Sequence, residues 1–169
     1  IIEVKCSSQL VQEVLRLGGR PFFYKTGHSL IKAKMQEIGA VFTGEMSGHM
    51  FFADEYFGFD DAIYAAARLL RILSKTDTSF SKLLSDWPAT FITPEIRVHC
   101  EDEKKAFFVS QAKEVLAPVA KAIIDVDGVR AEFSDGWGLV RASNTGPELI
   151  IRCEGTSEQA KQRIFEHLQ

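Results

Sequence analysis

The 169 residues are 46% hydrophobic and 25% charged, the balance of an ordinary globular chain that can bury a core in one domain or two small ones. A net charge of −3 supplies no basic field for nucleic acid, and no apolar run reaches the length of a membrane span, so neither partner is expected. The three cysteines, Cys6, Cys100 and Cys153, lie far apart without a CxxC pair; this excludes a zinc knuckle and reads as reduced, buried thiols in a cytoplasmic protein. Ile1 to Lys5 carries neither the basic nor the apolar region of a secretion signal, and the first residue is not Met. The chain therefore reads as a piece of something longer or a processed product.

Ile1 to Lys5 predicts a short strand. Ser8 then caps a helix whose Leu10, Val11, Val14, Leu15 and Leu17 have helical spacing, and Gly18-Gly19 stops it. Phe22-Phe23-Tyr24 is a second strand, Thr26-Gly27-His28 a turn, and Ser29 to Ile38 a second amphipathic helix ended by Gly39. Ala40-Val41-Phe42 predicts a third strand, and Met50-Phe51-Phe52 resumes an extended run. Asp60 caps a long helix through Ile63, Ala66, Ala67, Leu70 and Leu73. Such βα alternation predicts an α/β domain over residues 1–87, a mostly parallel sheet with flanking helices. Phe80 to Trp87 predicts a short helix closed by Pro88.

Pro88 and Pro94 frame a linker, 88–94. Beyond it the pattern changes to an α+β unit, 95–169. Glu95 to Cys100 predicts a strand, and Glu103 to Ile124 a mainly helical stretch kinked or ended at Pro118. Gly128 to Phe133, Gly136 to Ala142 and Glu148 to Glu154 suit an antiparallel meander. Thr156 or Ser157 caps a last helix.

Two polar loops stand out. Gly44-Glu45-Met46-Ser47-Gly48-His49 sets a carboxylate, a hydroxyl and an imidazole between glycines, groups suited to sugar hydroxyls. It is also readable as a surface loop with an incidental histidine. Arg141-Ala142-Ser143-Asn144-Thr145-Gly146-Pro147 offers a guanidinium, short donors and successive backbone N–H groups, the makings of an anion nest. Plain turn chemistry beside a surface arginine is the other reading. Lys5 ends the first strand and His28 follows the second, so a parallel sheet puts both on the same edge as the Glu45 loop. Asp60-Asp61 reads as a helix cap rather than a metal pair, and neither Ser7 nor Ser8 has a base at hand in the sequence.

Val4-Lys5-Cys6-Ser7, Lys25-Thr26-Gly27-His28-Ser29, Gly44 to His49, Phe57-Gly58-Phe59-Asp60-Asp61 and Gly136 to Thr145 occur in one order along almost the whole chain. In these motifs the chain resembles the C-terminal half of bacterial phosphomannomutase/phosphoglucomutases, in the α-D-phosphohexomutase superfamily. The resemblance implies the third, α/β domain of four, followed by the fourth, a small α+β domain resembling the TATA-binding-protein fold. It implies an isomerase of carbohydrate metabolism that interconverts hexose 1-phosphate and hexose 6-phosphate through a bisphosphorylated sugar. Glu45 and Ser47 would bind sugar hydroxyls; Lys5, His28 and His49 would line the site, with Lys5 or His49 aiding proton transfer. Arg141, Ser143, Asn144 and Thr145 would clamp the phosphate that is not being transferred. Met46 is a cue for glucose or mannose phosphates rather than glucosamine phosphate. Glu3 and Gly146 depart from the residues usual in relatives.

The family's phosphoserine and magnesium loop belong to its first two domains, and this chain contains no Asp-x-Asp-x-Asp run. The resemblance therefore implies Mg2+ held outside the chain and glucose 1,6-bisphosphate as activator, with no cofactor or metal held by this piece. The expected partners are a phosphosugar and the N-terminal domains of the same protein. A monomer is expected, without mutase activity in isolation. The competing expectation is a stand-alone phosphosugar-binding or regulatory module.

Overall fold

The computed structural model describes residues 1–169. Its first sheet is built from Ile2–Glu3 (β1), Phe23–Tyr24 (β2), Phe42–Gly44 (β3) and Met50–Phe52 (β4), in the order β2-β1-β3-β4. β1 pairs parallel with both β2 and β3, and β4 folds back antiparallel on β3. The mostly parallel sheet follows from the helices that return the chain between its first strands, Ser8–Arg16 (α1) and His28–Ile38 (α2). A third helix, Ala62–Leu73 (α3), follows β4.

Several helix boundaries differ from the sequence reading. Ser7, not Ser8, caps α1, its Oγ accepting from the Gln9 N–H at 3.1 Å. Asp61, not Asp60, caps α3, accepting from the Tyr64 N–H at 2.9 Å. The helix expected over Phe80 to Trp87 contracts to one 3-10 turn, Phe80–Lys82. Serines there compete with the backbone: Ser85 Oγ donates to the Lys82 carbonyl at 2.9 Å, and Ser79 and Ser81 hydroxyls pair at 3.3 Å.

Gly39 ends α2 in the left-handed conformation, φ 65°, with its N–H on the Met35 carbonyl. No atom lies within 4 Å of the position a Cβ would take there, so only backbone strain opposes a side chain. Gly39→Ala is expected to lower stability by about 1 kcal/mol in urea unfolding. Ile31, Met35 and Phe51 form the buried core of this unit, with Tyr24 and Ala40 packed against it. The apolar faces of α1 and α3 stay largely uncovered: Ile63 is 85% exposed and Leu70 65%.

The second sheet is antiparallel throughout. Its strands are Phe91–Ile92 (β5), Ile96–His99 (β6), Ala122–Ile124 (β7), Val129–Glu132 (β8), Gly136–Ala142 (β9) and Glu148–Gly155 (β10). β8, β9 and β10 form the expected meander. β5 falls inside the segment read as linker, yet pairs with the end of β10, Phe91 opposite Gly155. The helix expected to reach Ile124 is Asp102–Leu116 (α4). Past Pro118 the chain becomes β7, which pairs with β8. Glu158–Glu166 (α5) closes the unit, capped by Ser157 Oγ.

Strand alternation gives this sheet two different faces. Val129, Ala131, Val140 and Cys153 turn toward α4 and α5 and pack with Leu116, Ile164 and Leu168. Arg130, Trp137, Leu139, Arg141, Arg152 and Glu154 occupy the alternate positions. Trp137 and Leu139 close on Val4, just past β1, in a small buried cluster joined by Val126. The seam between the two sheets is therefore built on the first β–α turn of the chain, beside Lys5.

Candidate functional site

Parallel pairing of β1, β2 and β3 brings the turns after them to one edge: Val4-Lys5, Thr26-Gly27-His28 and Glu45 to His49. The last is the hairpin from β3 to β4, closed by the Glu45 N–H on the His49 carbonyl at 2.9 Å and the Gly48 N–H on the Glu45 carbonyl at 3.0 Å. Gly48 sits at φ 92°, where a side chain would strain the backbone.

Glu3 organises these turns. Its side chain is fully buried and accepts from three of them: Thr26 Oγ1 at 2.7 Å, the Met46 N–H at 2.8 Å and Lys5 Nζ at 3.1 Å. Lys5 also reaches Glu95 Oε2 at 3.4 Å, across the seam. Burial would raise the Glu95 carboxyl, but the Lys5 ammonium and the Arg97 guanidinium outweigh it and hold it below the ordinary value. Lys5 thus faces two carboxylates at the edge of the site.

One Glu45 carboxylate oxygen, Oε1, accepts from the Gly27 N–H at 3.0 Å, fixing the side chain with Oε2 left for another donor. Met46, Ser47 and His49 are exposed. His49 Nδ1 meets Asp60 Oδ2 at 2.5 Å, and the His28 ring lies 6.2 Å from the His49 ring. An Nδ1–H donated to Asp60 leaves Nε2 with a lone pair, the tautomer a proton acceptor needs. A depression of about 580 Å³ beside these histidines is lined by Ser29, Lys32, Phe51 and Phe59 as well as His28 and Asp60. Another cleft, about 600 Å³, runs along the seam past Gln12, Glu13, Asp86, Glu132 and Glu154, but contains no residue of either polar loop.

The Arg141 loop joins β9 to β10. Arg141 is only 3% exposed, and one edge of its guanidinium is already engaged: Nε donates to Asp127 Oδ2 at 3.0 Å and Nη2 reaches Oδ1 at 3.5 Å. The Nη1 edge remains for an anion. The Thr145 N–H donates to Ser143 Oγ at 3.3 Å, and Asn144 and Thr145 are exposed at the tip. Behind the loop, buried Lys105 of α4 donates to the Ser143 carbonyl at 3.0 Å and the Gly146 carbonyl at 2.5 Å, and pairs with Asp102. Of the loop's N–H groups, that of Ser143 donates to the Glu148 carbonyl at 2.9 Å and that of Thr145 to Ser143 Oγ, which leaves those of Asn144 and Gly146 for an anion.

Asp127 ties the two loops together. Besides Arg141, its Oδ2 accepts the Thr26 N–H at 3.0 Å. The nine candidate residues (Lys5, His28, Glu45, Ser47, His49, Arg141, Ser143, Asn144 and Thr145) therefore lie in turns or at the element ends beside them, His28 opening α2 and Arg141 near the end of β9, and these are linked through Glu3, Asp127 and the adjoining Lys5–Glu95 pair. Lys105, Asp127 and Arg152 escaped the sequence reading, and Asp60 was read there only as a helix cap; Arg152 has a buried Nε without a partner on the seam side of β10. A carboxylate eleven residues after a loop histidine was the one available signal, for Asp60, and helix-cap chemistry masked it.

The family model "Phosphoglucomutase/phosphomannomutase, alpha/beta/alpha domain III" matches residues 1–91, and "Phosphoglucomutase/phosphomannomutase, C-terminal domain" matches residues 95–168. A phosphomannomutase/phosphoglucomutase of Pseudomonas putida is 47% identical over 165 residues, covering 97% of this chain and 35% of the relative. A phosphoglucomutase of Neisseria gonorrhoeae is 43% identical over 166 residues, covering 97% and 36%. The crystal structure of a phosphoglucomutase/phosphomannomutase family protein from Burkholderia thailandensis superposes with a TM-score of 0.89 at 40% identity, covering 99% of this chain and 35% of that one. The chain spans about a third of the length of the curated relatives it matches. Two consecutive domain matches, together with a shared fold over nearly every residue, establish that the chain belongs to the phosphoglucomutase/phosphomannomutase family, as its domain III followed by its C-terminal domain.

Proposed function

We propose that this chain is the substrate-recognising part of a phosphohexomutase that interconverts the 1- and 6-phosphates of mannose or glucose through a bisphosphorylated sugar. One observation carries the reading: Asp127 accepts both from the Thr26 N–H beside the sugar loops and from Arg141 of the phosphate loop, joining them in a continuous hydrogen-bonded site. Glu45 Oε2 and Ser47 Oγ take sugar hydroxyls. The Nη1 edge of Arg141, with Ser143, Asn144 and Thr145, takes the phosphate that stays in place. A fixed phosphate clamp and a pair of hydroxyl ligands accept the sugar in either orientation, as a mutase must.

His49, with Asp60 on Nδ1, accepts a proton at Nε2 from the hydroxyl about to be phosphorylated; His28 and Lys5 flank it, and Lys5 stabilises negative charge. In this reading the phosphoserine, the magnesium loop and the response to glucose 1,6-bisphosphate belong to the N-terminal domains of the longer protein. No group of three or more His, Cys, Asp or Glu side chains in this chain is arranged to hold a metal ion. The three buried thiols suit a cytoplasmic enzyme. A monomer fits the reading.

The test is binding without turnover. Calorimetric titration with mannose 6-phosphate is expected to give tighter binding than inorganic phosphate, and mannose alone none. An assay with mannose 1-phosphate, Mg2+ and glucose 1,6-bisphosphate is expected to yield no product from this chain. Equal affinity for mannose 6-phosphate and phosphate would remove the sugar site; product formation would remove the fragment reading.

A further inference from the structure

Arg130, like Glu3, is a fully enclosed charge. It projects from β8 toward the first sheet, with no exposed surface, and spends its guanidinium on the turn that carries Lys5. Nη1 donates to the carbonyls of Val4 and Cys6, both at 2.7 Å, so the residues on either side of Lys5 are gripped by one nitrogen. Nη2 donates to Ser8 Oγ at 2.7 Å, and Nε to Glu132 Oε1 at 2.7 Å. The guanidinium plane is sandwiched across the seam, 3.9 Å from the Trp137 ring of the second sheet and 4.6 Å from the Phe23 ring of the first. Neighbouring bonds follow the same path: Ser7 Oγ donates to Glu154 Oε1 at 2.9 Å and Ser8 Oγ to Glu132 Oε2 at 3.4 Å.

None of these groups belongs to the polar loops, and the mechanism above does not use them. Their placement still bears on the site. Arg130 pairs with Leu139 in the sheet, and Arg141 lies two residues along the same strand and on the same face. The backbone position opposite Arg130 is thus about 7 Å along β9 from Arg141. Burying a guanidinium is costly unless its donors are met, and here the acceptors come mostly from the other unit. Burial lowers the Arg130 pKa, with the Glu132 carboxylate opposing.

We propose that Arg130 is a positioning residue: it holds the Lys5 turn against the second sheet and so sets the spacing between the sugar loops and the Arg141 phosphate loop, without touching ligand. The proposal rests on the two-point reading of the site given above. A ligand that spans both loops needs that spacing, whereas one that occupies only the phosphate loop does not.

Arg130→Lys in this chain keeps the charge and loses the fork. Titration with mannose 6-phosphate is expected to show binding weakened roughly tenfold or more, while inorganic phosphate binding changes little. Equal weakening of both ligands, or of neither, overturns the proposal. If the parent chain itself fails to prefer mannose 6-phosphate, the functional reading has failed, and ¹⁵N relaxation decides the latch separately. A single tumbling time in the parent and two in Arg130→Lys support it; one time in both overturns it. Should Arg130→Lys not fold, Ser8→Ala removes one acceptor and is expected to narrow the preference for mannose 6-phosphate over phosphate several-fold; an unchanged preference overturns the proposal.

Discussion

Arg141→Ala is expected to weaken binding of inorganic phosphate and of mannose 6-phosphate alike, by about 3 kcal/mol or roughly a hundredfold in Kd. The magnitude follows from the guanidinium geometry. Asp127 holds the Nε–Nη2 edge, so the side chain is fixed before any anion arrives and little rotamer freedom is lost on binding. What remains is a pre-oriented Nη1 edge able to make two charge-assisted bonds. Arg141→Lys places a point charge without the fork, so an intermediate loss is expected. Calorimetric Kd values measure the effect, with urea unfolding run beside them because Asp127 loses its counter-ion. An unchanged Kd in Arg141→Ala would remove the clamp assignment.

Loss at Arg141 should be indifferent to the sugar, and loss at Arg130 should not. This contrast separates a group that touches ligand from one that sets a distance. It also bears on how much the amino-acid sequence could say. Local order was legible: the Gly39 stop, the capped α5, the βα alternation and the β8–β10 meander depend on residues close in the chain. The two polar loops were legible as chemistry for the same reason.

The groups that join the loops were not. Arg130 finds Val4 and Cys6 across more than a hundred residues, and Lys105 finds the Ser143 and Gly146 carbonyls from a different element. No local pattern encodes such a meeting. Local choices also misled where two readings were chemically equivalent. Asp60 and Asp61 are equally good caps by residue type; only the fold sends one to Tyr64 N–H and the other to His49. Ala122–Ile124 continued an apolar run behind a helix, and its strand character comes from pairing with β8 rather than from the three residues themselves.

Glu3 is where this tertiary dependence is most concentrated, and Glu3→Ala is expected to be the most damaging single truncation in the first unit. Removal of the carboxylate takes a partner from three donors at once: Thr26 Oγ1, the Met46 N–H and the Lys5 ammonium. Lys5 retains Glu95 at 3.4 Å; the other two lose their acceptor. Breaking a buried charged network from one side costs about 3–5 kcal/mol, equivalent to a fall in Tm of roughly 6–20 °C for a chain of this size. Glu3→Gln preserves volume but puts an N–H₂ toward groups that all donate, so it should recover only part of the loss. Thermal unfolding gives the stability, and amide exchange at Met46, expected to accelerate, locates the damage at the sugar loop. A Glu3→Ala chain with parental Tm and parental Met46 protection would mean that the three turns are ordered by their own hairpin and cap bonds, and that Glu3 is a passenger in a site it only borders.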